Sequence, residues 1–418
     1  MNSFANPDAS HLDVLSERSR PSADFDIKIH RYLPVAAFYF FFNHAGLPSG
    51  LFYTTLFSPF LFLWLYLKGR RWLTAKYLLV LLPFILAHMV LGIPDPLNYL
   101  RTLIHWWTVY VAVYAICWAL RKCESLDRLF EQLILLNFYA SIFALAILPT
   151  PLRGLLWTQT VVITGTSASP RLSLFAHEPS AYAELVLPLL IFAVLRLLSN
   201  RRMRSAVYLM MIVLPVLLCQ SFGGISIGMA GICVALMTGY RRFLTESKSR
   251  LIFFCLTIPI GALLLTPNPI SLRVLQVLAG NDGSTQARTI LSYIASYVVA
   301  SSKSIWWGVG LGQMKLMDIS YLHFGLINGV PNMMAGIFAE FGLIGVTAMV
   351  AVEIYLFFKT RVYLNSFRLA MFVMAFLQQA TGSYGTDVQQ YLTWFLAFFP
   401  CFPEYNLRDV IKSEGSRL

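Results

Sequence analysis

Charge is what this sequence has least of. Asp, Glu, Lys and Arg make up 12% of its 418 residues, while 57% are hydrophobic and the mean hydropathy is +0.65. Soluble chains carry about 25% charged residues, so the two or three soluble domains that length alone would suggest are excluded. Paired cysteines are missing as well. Cys117, Cys123, Cys219, Cys233, Cys255 and Cys401 lie in or beside apolar runs with no CxxC spacing, which argues for small packing residues over a disulfide or zinc framework. There is no GxxxxGK[ST] and no HExxH, and Gly308-x-Gly310-x-Gly312 has neither the spacing nor the βαβ context of a dinucleotide fingerprint. No cofactor and no metal is therefore expected; the one Asp-x-Asp, Asp24-Phe25-Asp26, falls in a polar tail. That tail, residues 1–27, contains Asp8, Asp13 and Glu17 and precedes any apolar run, so a disordered cytoplasmic segment is expected there, not a signal peptide. Internal repeats and low-complexity tracts are absent too.

What is present is a succession of apolar runs near the ~20 residues a spanning helix needs. They fall at about 32–46, 50–68, 73–92, 99–120, 127–148, 180–199, 205–220, 222–240, 250–266, 332–357, 366–382 and 388–403. The expectation is an all-α polytopic membrane protein of about twelve helices, nine in residues 28–266 and three in 332–403, followed by a cytoplasmic tail at 404–418. The formal net charge of +12 reads as loop anchoring, with no nucleic acid as a partner. Five alternate connections hold 18 Lys or Arg, among them Arg70, Arg121, Arg202, Arg241 and Arg361, while the remaining connections hold seven. By the positive-inside rule both termini face the cytoplasm, and residues 149–179 and 267–331 face outward.

The outer segment 267–331 is too long for a simple connection. Asn281-Asp282-Gly283-Ser284 is a turn and capping signal, and Ala287, Ile290, Leu291, Ile294 and Val298 then recur at helical spacing. This predicts an amphipathic helix on the bundle or in the lipid interface. Trp306-Trp307 suits the interfacial aromatic belt, and Gly308 to Gly312 a flexible or tightly turning segment.

Against this apolar background a few ionisable residues stand out. Pro170 to Ser180 places Arg171, His177 and Glu178 at the mouth of a helix whose next residues are apolar apart from Glu184. Pro179 suits a first helical turn, and Glu178 just before it meets the positive end of the dipole. Each residue has a bland reading: a favourable helix-start acid for Glu178, a snorkelling arginine for Arg171, an interfacial polar group for His177. Together they make a candidate acid/base and anion-binding set on the outer face. Arg288 is placed in the first turn of the predicted outer helix, where its charge opposes the dipole, which suggests an anion to bind; Arg273 is a weaker candidate. Asn332 opens the tenth span, and Glu340 lies about two turns deeper among apolar residues, where a structural pairing with an arginine and a catalytic role are equally open.

Taken together, these motifs resemble the bacterial Wzy-type polysaccharide polymerases of the O-antigen polymerase/ligase superfamily. Arg171-x-x-x-Phe175-x-x-Glu178-Pro179-Ser180 is similar to that family's R…F…EPS signature. Ser284-x-x-x-Arg288 resembles the start of its large outer loop, and Trp307-Gly308-Val309-Gly310-Leu311-Gly312 its G-G-G segment. Asn332 with Glu340-Phe341-Gly342-Leu343-Ile344-Gly345 resembles its N…E-x-G-ϕ-ϕ-G helix, ϕ being apolar. One departure is Pro331, at a position where ligases of the superfamily usually carry histidine.

The resemblance implies a GT-C-like architecture in the bacterial inner membrane, with a large, partly helical periplasmic loop. The implied activity is metal-independent transfer of a glycan from undecaprenyl diphosphate to the terminal sugar of another lipid-linked repeat unit. Partners would be undecaprenyl-diphosphate-linked oligosaccharides, the lipid bilayer and a chain-length regulator protein. For this chemistry Glu178 or His177 would accept a hydroxyl proton, Arg288 with Arg171 and Arg273 would neutralise the diphosphate, and Asn332 and Glu340 would complete the substrate site. The competing readings are an O-antigen ligase acting on lipid A core and, from another class, a flippase of lipid-linked sugars. Flippases tend to show repeats and midplane sites.

Overall fold

The computed structural model describes residues 53–159, 170–199, 203–238, 279–316, 330–382 and 385–407, with isolated positions at 35, 36, 39, 271 and 275–277. The N-terminal tail, the expected span at 250–266, most of that at 32–46 and Arg273 lie outside them. The chain runs through α1 (Tyr53–Leu67), α2 (Leu73–Val90), α3 (Pro96–Lys122) and α4 (Leu126–Ile147). A two-stranded antiparallel ribbon follows, β1 (Trp157–Gln159) with β2 (Pro170–Leu172), in which Thr158 faces Arg171. Then come α5 (Pro179–Ser199), α6 (Met203–Cys219), α7 (Phe222–Thr238), α8 (Gly283–Arg288), α9 (Ile290–Ser301), α10 (Met333–Lys359), α11 (Ser366–Thr381) and α12 (Val388–Phe398).

Among the described residues, α2, α3, α4, α5 and α10 are long and apolar enough to cross a membrane, so the chain is a helical membrane protein. The expectation of about twelve spans is not met. The apolar helices α1, α6 and α7 have 15, 17 and 17 residues. At 1.5 Å per residue these reach roughly 22–26 Å, short of the ~30 Å hydrocarbon core. Counting apolar runs overstates spans because an apolar run need not form a full-length helix: α11 and α12 have only 16 and 11 residues.

The bundle is organised around α5, which is buried on nearly every side, as a helix apolar all round must be. It packs against α4, α6, α7, α11 and α12. Close approach of α7 rests on Gly224, Gly228 and Gly231. A Cβ at Gly224 would come within 2.7 Å of Ala183 Cβ, and one at Gly228 within 2.7 Å of Leu187 Cδ2. Small residues are how membrane helices gain packing where the hydrophobic effect contributes little.

The predicted outer helix is real but broken and inverted. Asp282 caps it, accepting from Thr285 N at 2.8 Å, yet it ends at Arg288 and restarts at Ile290 after the irregular Thr289. Arg288 therefore sits in a last turn, where its charge suits the dipole, and not in the opposing first turn expected. In α9 the small residues Ser292, Ala295, Ser296 and Val299 face inward, while Ile290, Ile294 and Val298 point out. Lipid is as apolar as a core, so large side chains need not turn inward.

The glycine segment proves to be a clasp on a broken helix. Gly342 lies inside α10 at φ +67°, which interrupts the helical hydrogen bonds. The freed carbonyls of Ala339 and Glu340 accept from Val309 N (2.9 Å) and Gly310 N (3.0 Å), and Leu343 N and Ile344 N donate to the carbonyls of Ile305 (2.9 Å) and Trp306 (3.2 Å). Backbone groups broken out of a helix in an apolar setting need such partners. The two backbones touch: a Cβ on Gly342 would lie 2.3 Å from the Trp306 carbonyl carbon, and one on Gly308 2.4 Å from that of Glu340.

Candidate functional site

The segment Pro170 to Ser180 keeps its place at the mouth of α5, but its residues separate. Arg171, held in the ribbon, donates from Nε to the Cys219 carbonyl at 3.1 Å, at the end of α6. That is the negative end of a helix, so this arginine has a structural partner. His177 and Glu178 lie next to each other. Their Nε2 and Oε1 atoms lie 3.9 Å apart with side chains 36% and 41% exposed, and Ser180 Oγ donates to Glu178 Oε1 at 2.5 Å.

Behind them lie two carboxyls that the sequence reading did not select. Glu184, 7% exposed, faces Asp387, Arg288 and Glu178 electrostatically. Asp387, half-buried in the connection between α11 and α12, caps α12 by accepting from Gln389 N at 3.2 Å and faces His177 and Glu178. Gln389 joins the two acids, since its Nε2 also donates to the Glu184 carbonyl at 3.4 Å. Burial, reinforced by the Glu178 charge and opposed by His177 and the Gln389 amide, pushes the Asp387 carboxyl up to about 7. Glu184 was visible as the lone acid of its run, and Asp387-Val-Gln-Gln is a cap signal. Neither could be joined to Glu178 without the fold.

Arg288 comes to this cluster from the end of α8. Its Nη1 lies against the end of α11, where a Cβ on Gly382 would stand 3.2 Å from it. Among the described residues it has no carboxylate within ion-pair distance, although Glu184 feels its charge. Asn332 explains the placement. Fully buried at the head of α10, its Oδ1 accepts from Ala335 N at 3.0 Å, while Nδ2 donates to the carbonyls of Arg288 (2.8 Å) and Ala380 (2.6 Å). Asn332 thus fastens the arginine-bearing end of α8 to α10 and α11.

Glu340 belongs elsewhere. Its Oε1 accepts from Gly312 N at 2.9 Å, inside the clasp. Asn98 Nδ2 holds the Gly312 carbonyl (2.7 Å), Gln313 exchanges hydrogen bonds of 2.9 and 3.0 Å with the Asp95 backbone, and His88 lies between Tyr99 Oη (3.0 Å) and the Trp307 carbonyl (2.8 Å). The geometry makes Glu340 a fastener of the loop through this backbone amide.

Among the described residues the site that emerges has one guanidinium and three carboxyls with a histidine. Such an arrangement can hold an anion beside a group that takes a proton. Among the described residues no group of three His, Cys, Asp or Glu has the geometry to hold a metal ion. No protein-family model matches the chain, and no curated protein shows significant similarity to it.

Proposed function

We propose that the chain is a membrane glycosyltransferase that polymerises lipid-linked polysaccharide repeat units on the outer face of a bacterial inner membrane, with both termini cytoplasmic and a GT-C-like plan. One observation carries this reading: Arg288, in no ion pair among the described residues, acts electrostatically on Glu184, which in turn feels Asp387 and Glu178. A diphosphate leaving group needs cationic neutralisation as its C–O bond breaks, and a guanidinium meets phosphate oxygens bidentately. The attacking hydroxyl needs a base within hydrogen-bond reach, and Glu178 and His177 stand at the mouth as candidates. The prenyl chains would lie against exposed apolar helix surface such as that of α2 at Leu79 and Val80. Arg171 and Arg273 remain secondary candidates for the diphosphate, and a chain-length regulator is an additional partner.

The test is the glycan ladder from cells carrying variants. Arg288→Ala abolishes chain lengthening at unchanged protein level, and Arg288→Lys keeps a fraction, since a point charge replaces a fork. A normal long-chain ladder from Arg288→Ala refutes the reading. With purified protein and undecaprenyl-diphosphate repeat units, longer lipid-linked products mark a polymerase. Transfer to lipid A core alone would mark a ligase, and transbilayer movement without new bonds a flippase.

A further inference from the structure

Glu184 is the acid that the proposed chemistry leaves without a task. It is 7% exposed, and among the described residues its carboxyl makes no hydrogen bond or ion pair. A carboxyl buried in a membrane bundle is costly without a partner. The packing of α5 fixes the face it occupies. A Cβ on Gly231 of α7 would stand 2.9 Å from Ile191 Cδ1 of α5 and 2.5 Å from Met374 Sδ of α11, so the three helices meet at Ile191. Glu184 precedes Ile191 by two helical turns, which puts it on the same face of α5, nearer the mouth. Arg288 reaches that place by another route. Its Nη1 lies against Gly382, at the start of the connection from α11 to α12, and Gln389 just beyond that connection donates to the Glu184 carbonyl at 3.4 Å. The guanidinium, too, makes no hydrogen bond or ion pair among the described residues, and its charge acts on Glu184 from beyond ion-pair distance.

We propose that Glu184 binds the donor sugar, accepting a hydrogen bond from the hydroxyl or acylamino group beside the carbon that carries the diphosphate; this rests on the polymerase reading above. The polarity of a glycosyl diphosphate matches the two uncommitted side chains. Its phosphate oxygens are negatively charged and only accept hydrogen bonds, so they turn to the Arg288 guanidinium and away from an acid. The sugar group next to them is a donor, and a carboxyl oxygen accepts from it in either protonation state. A ligand held by its diphosphate at one end and by this group at the other has its anomeric carbon fixed between them in one orientation. Glu184 therefore selects among donor sugars, while Arg288 serves any diphosphate. A sugar that lacks the group leaves the buried carboxyl without its partner, which is how a polar site rejects an analogue.

The experiment uses the purified full chain with two donors: the native undecaprenyl-diphosphate repeat unit, and the same unit with that one sugar group replaced by hydrogen. Wild type prefers the native donor by roughly 10- to 100-fold in kcat/KM, the effect of losing one hydrogen bond to a buried polar group. Glu184→Leu uses the native donor more slowly by a similar factor and treats the two donors within about threefold of each other. Glu184→Gln, whose Oε1 still accepts, keeps part of the preference. Each preference is a ratio measured within one protein, so a smaller folded fraction in a variant cancels. Equal use of both donors by wild type overturns the contact, and so does a full preference retained by Glu184→Leu, which would leave Glu184 a structural acid. Those two results refute the sugar contact alone, whereas a wild-type protein that lengthens neither donor refutes the polymerase reading on which it rests.

Discussion

Replacing Asn332 separates the two roles a polar residue at this position can have. The side chain is fully buried and makes three hydrogen bonds, one capping α10 and two to the carbonyls of Arg288 and Ala380. Asn332→Ala removes a cap worth about 1 kcal/mol. It also removes the only described partner of the Arg288 carbonyl, at about 1–3 kcal/mol, while the Ala380 carbonyl keeps the Tyr293 hydroxyl at 3.2 Å, so the expected loss is about 2–4 kcal/mol before relaxation. Asn332→Asp keeps the cap acceptor but turns an oxygen toward those two carbonyls and buries a charge, so it is at least as damaging as alanine. Asn332→Ser retains the cap alone and falls between alanine and wild type. Thermal unfolding of detergent-purified variants, followed by tryptophan fluorescence and monodispersity, gives the order. If Asn332→Asp is as stable as wild type while glycan lengthening is lost, Asn332 is a substrate group and the fastening argument is wrong.

Gly342→Ala puts a methyl 2.3 Å from the Trp306 backbone at φ +67°, so a loss of folded yield on size exclusion is expected, larger than for Gly336→Ala, where nothing lies within 4 Å. Gly382→Ala places its Cβ 3.2 Å from Arg288 Nη1 and, at a site where glycine's φ is not positive, moves the guanidinium without straining the chain. Shorter ladders at normal Tm are expected from it, and wild-type ladders would show that the position of Arg288 does not matter.

The membrane class, the α8 cap at Asp282 and the glycine turn were legible in the sequence because each depends on local composition or on near neighbours. The roles of individual residues were less so. Arg171 and Glu340 carry charges in motifs that looked chemical, yet the fold gives each a backbone partner, Cys219 and Gly312 respectively. The G-G-G segment and the E-x-G-ϕ-ϕ-G helix read as separate motifs and are two sides of one contact, because a helix opened at Gly342 must borrow hydrogen bonds from another chain segment.

By itself, the sequence determined that this chain is helical, apolar and short of charge, and that its few acids and arginines would be conspicuous. Composition and period carry that information, since lipid selects it residue by residue. Which of those charges meet was decided in three dimensions. Glu178, Glu184, Arg288 and Asp387 span more than two hundred positions and come together because Asn332 ties α8 to α11 while Gln389 ties α12 to α5. A periodicity describes one helix at a time, whereas a site of this kind depends on how the ends of four helices are fastened together.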